Sequence, residues 1–175
     1  MKYCFFLCLV LCAACRRDPQ PLPTPYRDGP NMLACKINGE PFVAISPTGK
    51  TSMDDPVDGG FWGSMYPQPR NNNLYVTASA GNTFLELYIN VCDTPGRYAL
   101  NHLIPCYQYE CWPEYNYGRV NRKYATTAID TGSIVMQVAL PNNNEAMGTF
   151  AFRGRDAAGN AVNVTDGRFY YKLRL

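Results

Sequence analysis

The fold of this chain is decided by one alternating stretch, Thr83-Phe84-Leu85-Glu86-Leu87-Tyr88-Ile89-Asn90-Val91. Leucine, isoleucine or valine stands at every second position, and the residues between them are aromatic or polar. Successive side chains of a β-strand point to opposite faces, so this period predicts a strand with one face on a core and one in solvent. The preceding Gly81-Asn82 predicts a tight turn, which makes the stretch the second arm of a hairpin.

The same signals recur along the rest of the chain. Asn38-Gly39 is typical of a type I′ turn, because both residues can take positive φ, and strands at 33–37 and 41–45 flank it. Alternation returns at 133–140 and 168–175. Shorter strands are predicted at 61–66, 97–100, 119–127, 149–155 and 161–165. Turns every ~8–12 residues predict an all-β fold, an antiparallel β-sandwich or β-barrel of about nine to ten short strands.

The first fifteen residues predict secretion. Lys2 precedes an apolar run, Phe5–Ala14, of about ten residues, too short for a permanent membrane span of ~20. Its end, Ala13-Ala14-Cys15, resembles the lipobox of bacterial lipoproteins, in which the cysteine becomes the acylated first residue of the mature chain. The resemblance implies lipidation of Cys15 and a membrane partner through that lipid. The alternative is an ordinary cleaved signal and a soluble periplasmic protein.

Proline is spaced along residues 16–30 in a way that disfavours helix and sheet. The prolines are Pro19, Pro21, Pro23, Pro25 and Pro30. We therefore expect an extended, solvated tether that reaches roughly 40 Å. The predicted organisation is a signal peptide at 1–14, a lipidated cysteine and tether at 15–31, and a single all-β domain at 32–175. In lipoproteins an Asp after the cysteine retains the protein in the inner membrane; Arg16 stands here, which implies the outer membrane, with the exposed face left open.

Net charge argues against a nucleic-acid partner. The formal charge is +2, and loss of Lys2 with the signal lowers it further. A nearly neutral chain lacks the basic surface that binds phosphate backbones.

Four cysteines remain after the signal and Cys15 are set aside: Cys35, Cys92, Cys106 and Cys111. An even count in an exported domain predicts two disulfides with three possible pairings, of which we favour Cys106–Cys111 and Cys35–Cys92. Zinc sites need two close cysteine pairs, which this chain lacks, so neither a metal site nor a cofactor is predicted. The acidic residues at 54, 55 and 58 suggest calcium at most, and a solvated loop is favoured because no EF-hand spacing is present.

Residues 101–118 are the least regular part of the domain and the candidate binding surface. The predicted binding residues are Tyr107, Tyr109, Trp112 and Tyr115. Aromatic rings stack on sugar faces and anchor protein interfaces, so a glycan or an envelope protein is the expected partner. The alternative is that these rings cover the open end of the core and bind nothing.

Catalysis has little support in the sequence. The chain has one histidine, His102, and no G-x-S-x-G, H-E-x-x-H or phosphate-loop motif. We predict no catalytic residues and no enzyme. A secreted hydrolase that uses His102, with Glu110 or Glu114 as the acid, remains the alternative.

Three motifs resemble a known group of proteins. Residues 35–42, Cys-Lys-Ile-Asn-Gly-Glu-Pro-Phe, resemble the opening of small single-domain lipoproteins of unknown function from Bacteroidota-type bacteria. Gly148-Thr149-Phe150 and Asp166-Gly167-Arg168-Phe169 resemble the closing hairpins of the same group. The resemblance implies one all-β domain, and together with the signal it predicts a non-enzymatic binding or structural accessory of the envelope, or alternatively a surface glycan-binding protein.

Overall fold

The computed structural model describes residues 21–46, 55–63, 72–90, 92–101, 117–121 and 123–173. These residues form one antiparallel sheet of eleven strands that is nearly closed and barrel-like. The all-β prediction is confirmed, with more strands than expected. The strands are β1 (Asn31–Ile37), β2 (Glu40–Ser46), β3 (Val57–Gly63), β4 (Asn72–Ala80), β5 (Thr83–Ile89), β6 (Gly96–Leu100), β7 (Tyr117–Val120), β8 (Tyr124–Ala125), β9 (Gly132–Leu140), β10 (Glu145–Arg155) and β11 (Ala161–Lys172).

Strand β10 is the hub of the sheet. The main path runs β2-β1-β11-β10-β8-β7-β5-β4-β3. Residues 145–152 of β10 also pair with β9, whereas its last residue, Arg155, pairs with β8. β9 in turn pairs with β6, so the sheet branches at β10, and β3 lies against β1, β2 and β11 where the barrel nearly closes.

Both predicted tight turns form. Asn38 and Gly39 have φ of 52° and 88°, the left-handed conformation that a type I′ turn requires, and they join β1 to β2. Gly81, with φ of 56°, starts the turn between β4 and β5. Helical structure in the described ranges is a single 3₁₀ turn at Pro141–Asn143, so no helix there could cross a membrane.

Two predicted elements differ at residues with positive φ. The strand expected at 119–127 is split by Asn121, with φ of 51°, into β7 and β8. The turn expected at Asp166-Gly167 is instead a β-bulge inside the continuous strand β11. Asp166 has φ of 55°, and the pairing with both β10 and β1 shifts by one residue there.

The decisive stretch points its apolar residues inward as predicted. Leu85, Leu87 and Ile89 are fully buried in the core. The expectation that the opposite face meets solvent is wrong, because Glu86 and Tyr88 are only 4% and 7% exposed. β5 is flanked on both sides by β4 and β7, and Arg119 of β7 covers Glu86 through an ion pair, with Nε 3.0 Å from Oε2.

The solvated loop predicted around the acidic residues 54, 55 and 58 also needs correction, because Asp58 belongs to β3. Val57 is buried in the core and lies opposite Ala78 of β4. Gly59 has no side chain to obstruct this pairing, since a Cβ there would lie 2.4 Å from the carbonyl oxygen of Tyr75. The Asp-Gly-Gly sequence is therefore a strand that needs its glycine for close backbone approach.

The second half of the predicted tether packs on the outside of the sheet, and we call residues 21–30 the strap. The strap has no regular structure, as its prolines predict. Leu22 nevertheless packs against an outward-facing cluster of Met32, Ala34 and Tyr170. The amide of Asp28 donates to the Tyr170 hydroxyl at 2.9 Å, and Arg27 Nε lies 2.8 Å from Glu145 Oε1. This half of the segment is thus docked, unlike the solvated spacer we expected.

The strap runs antiparallel to β1. At its start, Pro21 and Leu22 line a cavity together with Ile37 and Glu40, where β1 ends and β2 begins. Near its end, Asp28 forms an ion pair with Lys172, the last residue of β11, at 2.6 Å. The chain therefore descends along the outer face of the sheet and then turns back into β1.

Candidate binding surfaces

The predicted aromatic surface lies outside the described residues. This holds for its four binding residues, Tyr107, Tyr109, Trp112 and Tyr115, and also for His102, Cys106, Cys111 and the lipidation site Cys15. What the structure describes is the pair of strands that carry the segment. β6 ends at Leu100 and β7 begins at Tyr117, so the connection is 16 residues long.

Both roots of this connection are held by the sheet. Leu100 is fully buried and lies opposite Gly132 of β9. Beside Tyr117, Gly118 packs so closely on Phe152 that a Cβ would lie 2.8 Å from the ring. Gly132 in turn lies opposite Phe152 of β10, and β6 contacts β7, so the connection starts and finishes at the same level of the sheet.

The predicted Cys35–Cys92 disulfide is not formed in the structure. Both cysteines are free and fully buried, and both belong to the apolar core. Cys35 lies in β1 and Cys92 in the connection after β5, and both thiols fill the core as small apolar groups. Burial raises the pKa of each thiol to about 12, so both stay protonated and unreactive near neutral pH.

The acidic segment around Asp58 shows no metal geometry where it is described. Asp58 accepts a hydrogen bond at 2.7 Å from the amide of Gly59 through Oδ1. Within the described ranges, no three His, Cys, Asp or Glu side chains are grouped so that they could hold a metal ion.

A second surface, which sequence analysis missed, lies on the outer face of β6, β9, β10 and β11. The strand pairings align four residues in one row across these strands: Arg97, Val135, Thr149 and Arg168. The row crosses a groove of about 430 Å³, which we call the arginine groove. Thr24 and Pro25 of the strap form one of its walls.

The two arginines of this groove differ from the other basic residues of the described structure. Arg97 donates through Nη2 to Ser133 Oγ at 2.9 Å, and Arg168 through Nη1 to Thr24 Oγ1 at 3.2 Å, both uncharged acceptors. Among the described residues, neither has a carboxylate within salt-bridge distance. Every other described lysine or arginine does have one: Arg27, Lys36, Arg119, Lys123, Arg153, Arg155 and Lys172.

Among the described residues that line the groove, one is a carboxylate, and it already has a partner. Asp166 Oδ2 lies 2.7 Å from Lys36 Nζ. The hydrogen bond and charge of Lys36, with a smaller contribution from Arg168, lower the pKa of Asp166 below its ordinary value. Asp166 therefore remains ionised and is neutralised by Lys36, which leaves the groove with the positive charge of its two arginines.

No spacing in the sequence could have indicated this groove. Arg97 and Arg168 lie on strands that are far apart in the chain, and each follows the ordinary alternation of its own strand. Only the pairings of β9 with β6 and β10, and of β10 with β11, bring them into one row.

Comparison with known proteins identifies a family for this chain. The family described as "Domain of unknown function (DUF6252)" matches residues 50–172. The matched range contains β3 to β11, the 101–116 connection and the groove except for its strap wall. No curated protein and no solved structure matches the chain.

Proposed function

The chain belongs to the DUF6252 family of unknown function, and we propose that it acts as a non-enzymatic binding or structural accessory of the bacterial cell envelope. Its binding surface is the segment 101–118. The observation that carries this proposal is the length of the β6–β7 connection, which has 16 residues, compared with ten for β2–β3 and eight or fewer between the other successive described strands. Connections longer than ~12–15 residues are uncommon in compact domains and usually functional.

The rigid roots of the connection support a binding role. β1 and β2, like β4 and β5, are joined by two residues each, so this chain can connect neighbouring strands with very short turns. Between Leu100 and Tyr117 it instead has a long segment that contains Tyr107, Tyr109 and Trp112. A variable segment mounted on a rigid sheet is the usual way in which β domains present binding residues.

The location is argued from the N-terminus. Cys15 follows the small residues Ala13 and Ala14, which favours lipidation there, and Arg16 favours the outer membrane by resemblance to lipoproteins. Several acyl chains on one residue anchor a protein firmly, whereas a single chain binds reversibly. The domain would then face the periplasm or the cell exterior.

Lipidation is tested by growing cells that express the full chain with labelled palmitate. The wild type and Cys12→Ser should carry the label, and Cys15→Ser should lose it. Cys12→Ser is the matched control, because it removes a cysteine that would leave with the signal. Label that persists in Cys15→Ser would overturn lipidation at this residue.

The binding surface is tested with a variant in which residues 107–115 are replaced by a glycine-serine linker of equal length. Wild type and variant are compared on a glycan array and by crosslinking to envelope proteins on intact cells. Binding that the linker variant and Trp112→Ala both lose supports the proposal. Tyr26→Ala is the matched control, since Tyr26 is an aromatic residue of the strap that is 65% exposed. A linker variant that keeps every ligand of the wild type would contradict the role of this segment.

A further inference from the structure

We propose that the arginine groove is a second binding site and that it takes an acidic polysaccharide, whose anionic groups pair with Arg97 and Arg168. None of the described residues that line this site belongs to the 101–118 segment. It lies on the outer face of the sheet and is built by described strands and the strap.

Charge is the first argument. The described part of this domain pairs its other lysines and arginines with carboxylates, yet it leaves Arg97 and Arg168 with hydroxyl and carbonyl partners only. A guanidinium has five N–H donors in a planar fork that matches carboxylate, sulfate and phosphate oxygens. Arg97 uses one of these donors and Arg168 uses two, so both can still bind an oxyanion with two parallel hydrogen bonds.

Spacing is the second argument. Arg97 and Arg168 are separated by three strand intervals, which places their backbones about 14 Å apart. A single small anion cannot span that distance along the groove floor, whereas a chain with repeated acidic groups can contact both arginines at once. Between them lie Val135, which is 38% exposed, and the exposed Thr149.

The arginine groove continues into a second depression, and their combined length suits an extended polymer. A second depression of about 460 Å³ shares Arg97, Ser133 and Ala151 with the groove and extends it along Ala99 and Thr131. The combined surface therefore runs from the strap, across four strands, towards the end of β6. It is open along this path, as a site for an extended chain must be.

Backbone pairing favours a polysaccharide over an acidic peptide. An extended peptide usually binds a sheet by adding a strand to a free edge. β9, β10 and β11, which form the floor between the arginines, each pair with a strand on both sides, so among the described strands of the groove a peptide could be added only beside β6, at one border. This face presents the hydroxyls of Ser133 and Thr149 and the side-chain amide of Gln137, all of which can form hydrogen bonds with sugar hydroxyls.

The experiment measures binding of the mature chain to polygalacturonate, dextran sulfate and neutral dextran by biolayer interferometry. We expect at least one acidic polymer to bind, with an affinity that falls as salt rises, and neutral dextran not to bind. The better of the two acidic polymers identifies the anion as carboxylate or sulfate. Arg97→Gln and Arg168→Gln should each weaken binding about tenfold, the loss expected for a charge-assisted hydrogen bond.

The matched control is Lys123→Gln, which removes the same charge from a lysine whose partner is Asp156 and which lies on the β7–β8 turn. It should leave polymer affinity within about twofold, as should the linker variant of residues 107–115. Circular dichroism verifies that the arginine variants remain folded. Binding to neither polymer would overturn the proposal, as would affinities that both arginine variants retain.

Two further outcomes would also contradict it. Poly-glutamate that binds as tightly, with the same dependence on both arginines, would make this a peptide site. Polymer binding lost in the 107–115 linker variant but kept in Arg97→Gln and Arg168→Gln would assign the ligand to the segment 101–118. That result would support the proposed function while refuting the groove, so the two proposals fail separately.

Discussion

Two neighbouring regions on the outside of the same sheet differ in whether their outward side chains are covered by the rest of the chain. Beneath the strap, Met32, Ala34 and Tyr170 form an apolar cluster that Leu22 covers. Beside this cluster on β11, and across β10, β9 and β6, the arginine groove leaves charged and polar side chains exposed. The chain thus covers this apolar cluster itself and supplies carboxylates for most of its described cations. The unpaired arginines are consequently not explained by internal packing.

The largest effect that would test this contrast is on folding stability. Tyr170→Ala should lower the free energy of unfolding by about 3 kcal/mol, because it empties a fully buried site under the strap. Val135→Ala in the groove should change it by about 0.5 kcal/mol or less, as for other surface positions. Urea unfolding of both variants measures the difference. Equal losses would mean that the groove is as much a part of the packed structure as the strap-covered cluster.

An intermediate effect is expected from the strap itself. Leu22→Ala should lower the free energy of unfolding by about 1 kcal/mol, since a partly buried leucine loses part of its apolar contact. It should also speed tryptic cleavage after Arg27, which the docked strap protects through the contacts of Arg27 and Asp28. Unchanged cleavage would show that Leu22 does not hold the strap.

The smallest expected effect is on the pH dependence of folding stability. It should differ between a cation that pairs with a carboxylate and a cation that does not. Asp156 accepts hydrogen bonds from Asn160, through both the side chain and the backbone amide, and from Lys123. These contacts, led by the Asn160 side chain, lower the pKa of Asp156 to about 2. A carboxylate with a depressed pKa stabilises the fold above its unfolded pKa of ~4, and that contribution is lost as the pH falls through about 2.

The urea midpoint measured between pH 5 and pH 2 checks this expectation. Asp156→Asn should flatten part of the acid-dependent decline, because the titrating group is gone. Arg97→Gln should leave the decline unchanged, since Arg97 has no carboxylate partner. A decline equally steep in Asp156→Asn would assign acid sensitivity to other groups.

The local turns of this fold were predictable, because their chemistry lies within a few residues. Asn38-Gly39 and Gly81-Asn82 form hairpins as expected, and Leu85 and Leu87 face the core. Asp166-Gly167 carries the same local signal but forms a bulge, since its partners on β1 and β10 extend the strand through it. Pairing with strands that are distant in the sequence therefore decides the conformation of Asp166-Gly167, and a local sequence pattern contains no information about that pairing.

The two candidate surfaces also differ in how far they could be predicted from the sequence. An aromatic-rich irregular segment is visible in a single sequence, so 101–118 could be proposed from composition. The arginine groove depends on the register of four strands, and the docked strap depends on an outward tyrosine, Tyr170, that strand alternation assigns to solvent. Burial of Cys35 and Cys92 as free thiols likewise depends on the whole sheet.

The direction of the strap determines how the domain would respond to pulling. Because the strap folds back over β1, tension on its N-terminal end would peel it from the sheet one contact at a time, beginning near Leu22 and ending at Asp28. β1, which is hydrogen-bonded to both β2 and β11, would feel the force only after those contacts had parted. Under the proposed lipidation of Cys15, tension from the membrane would therefore detach the strap before it unfolds the barrel.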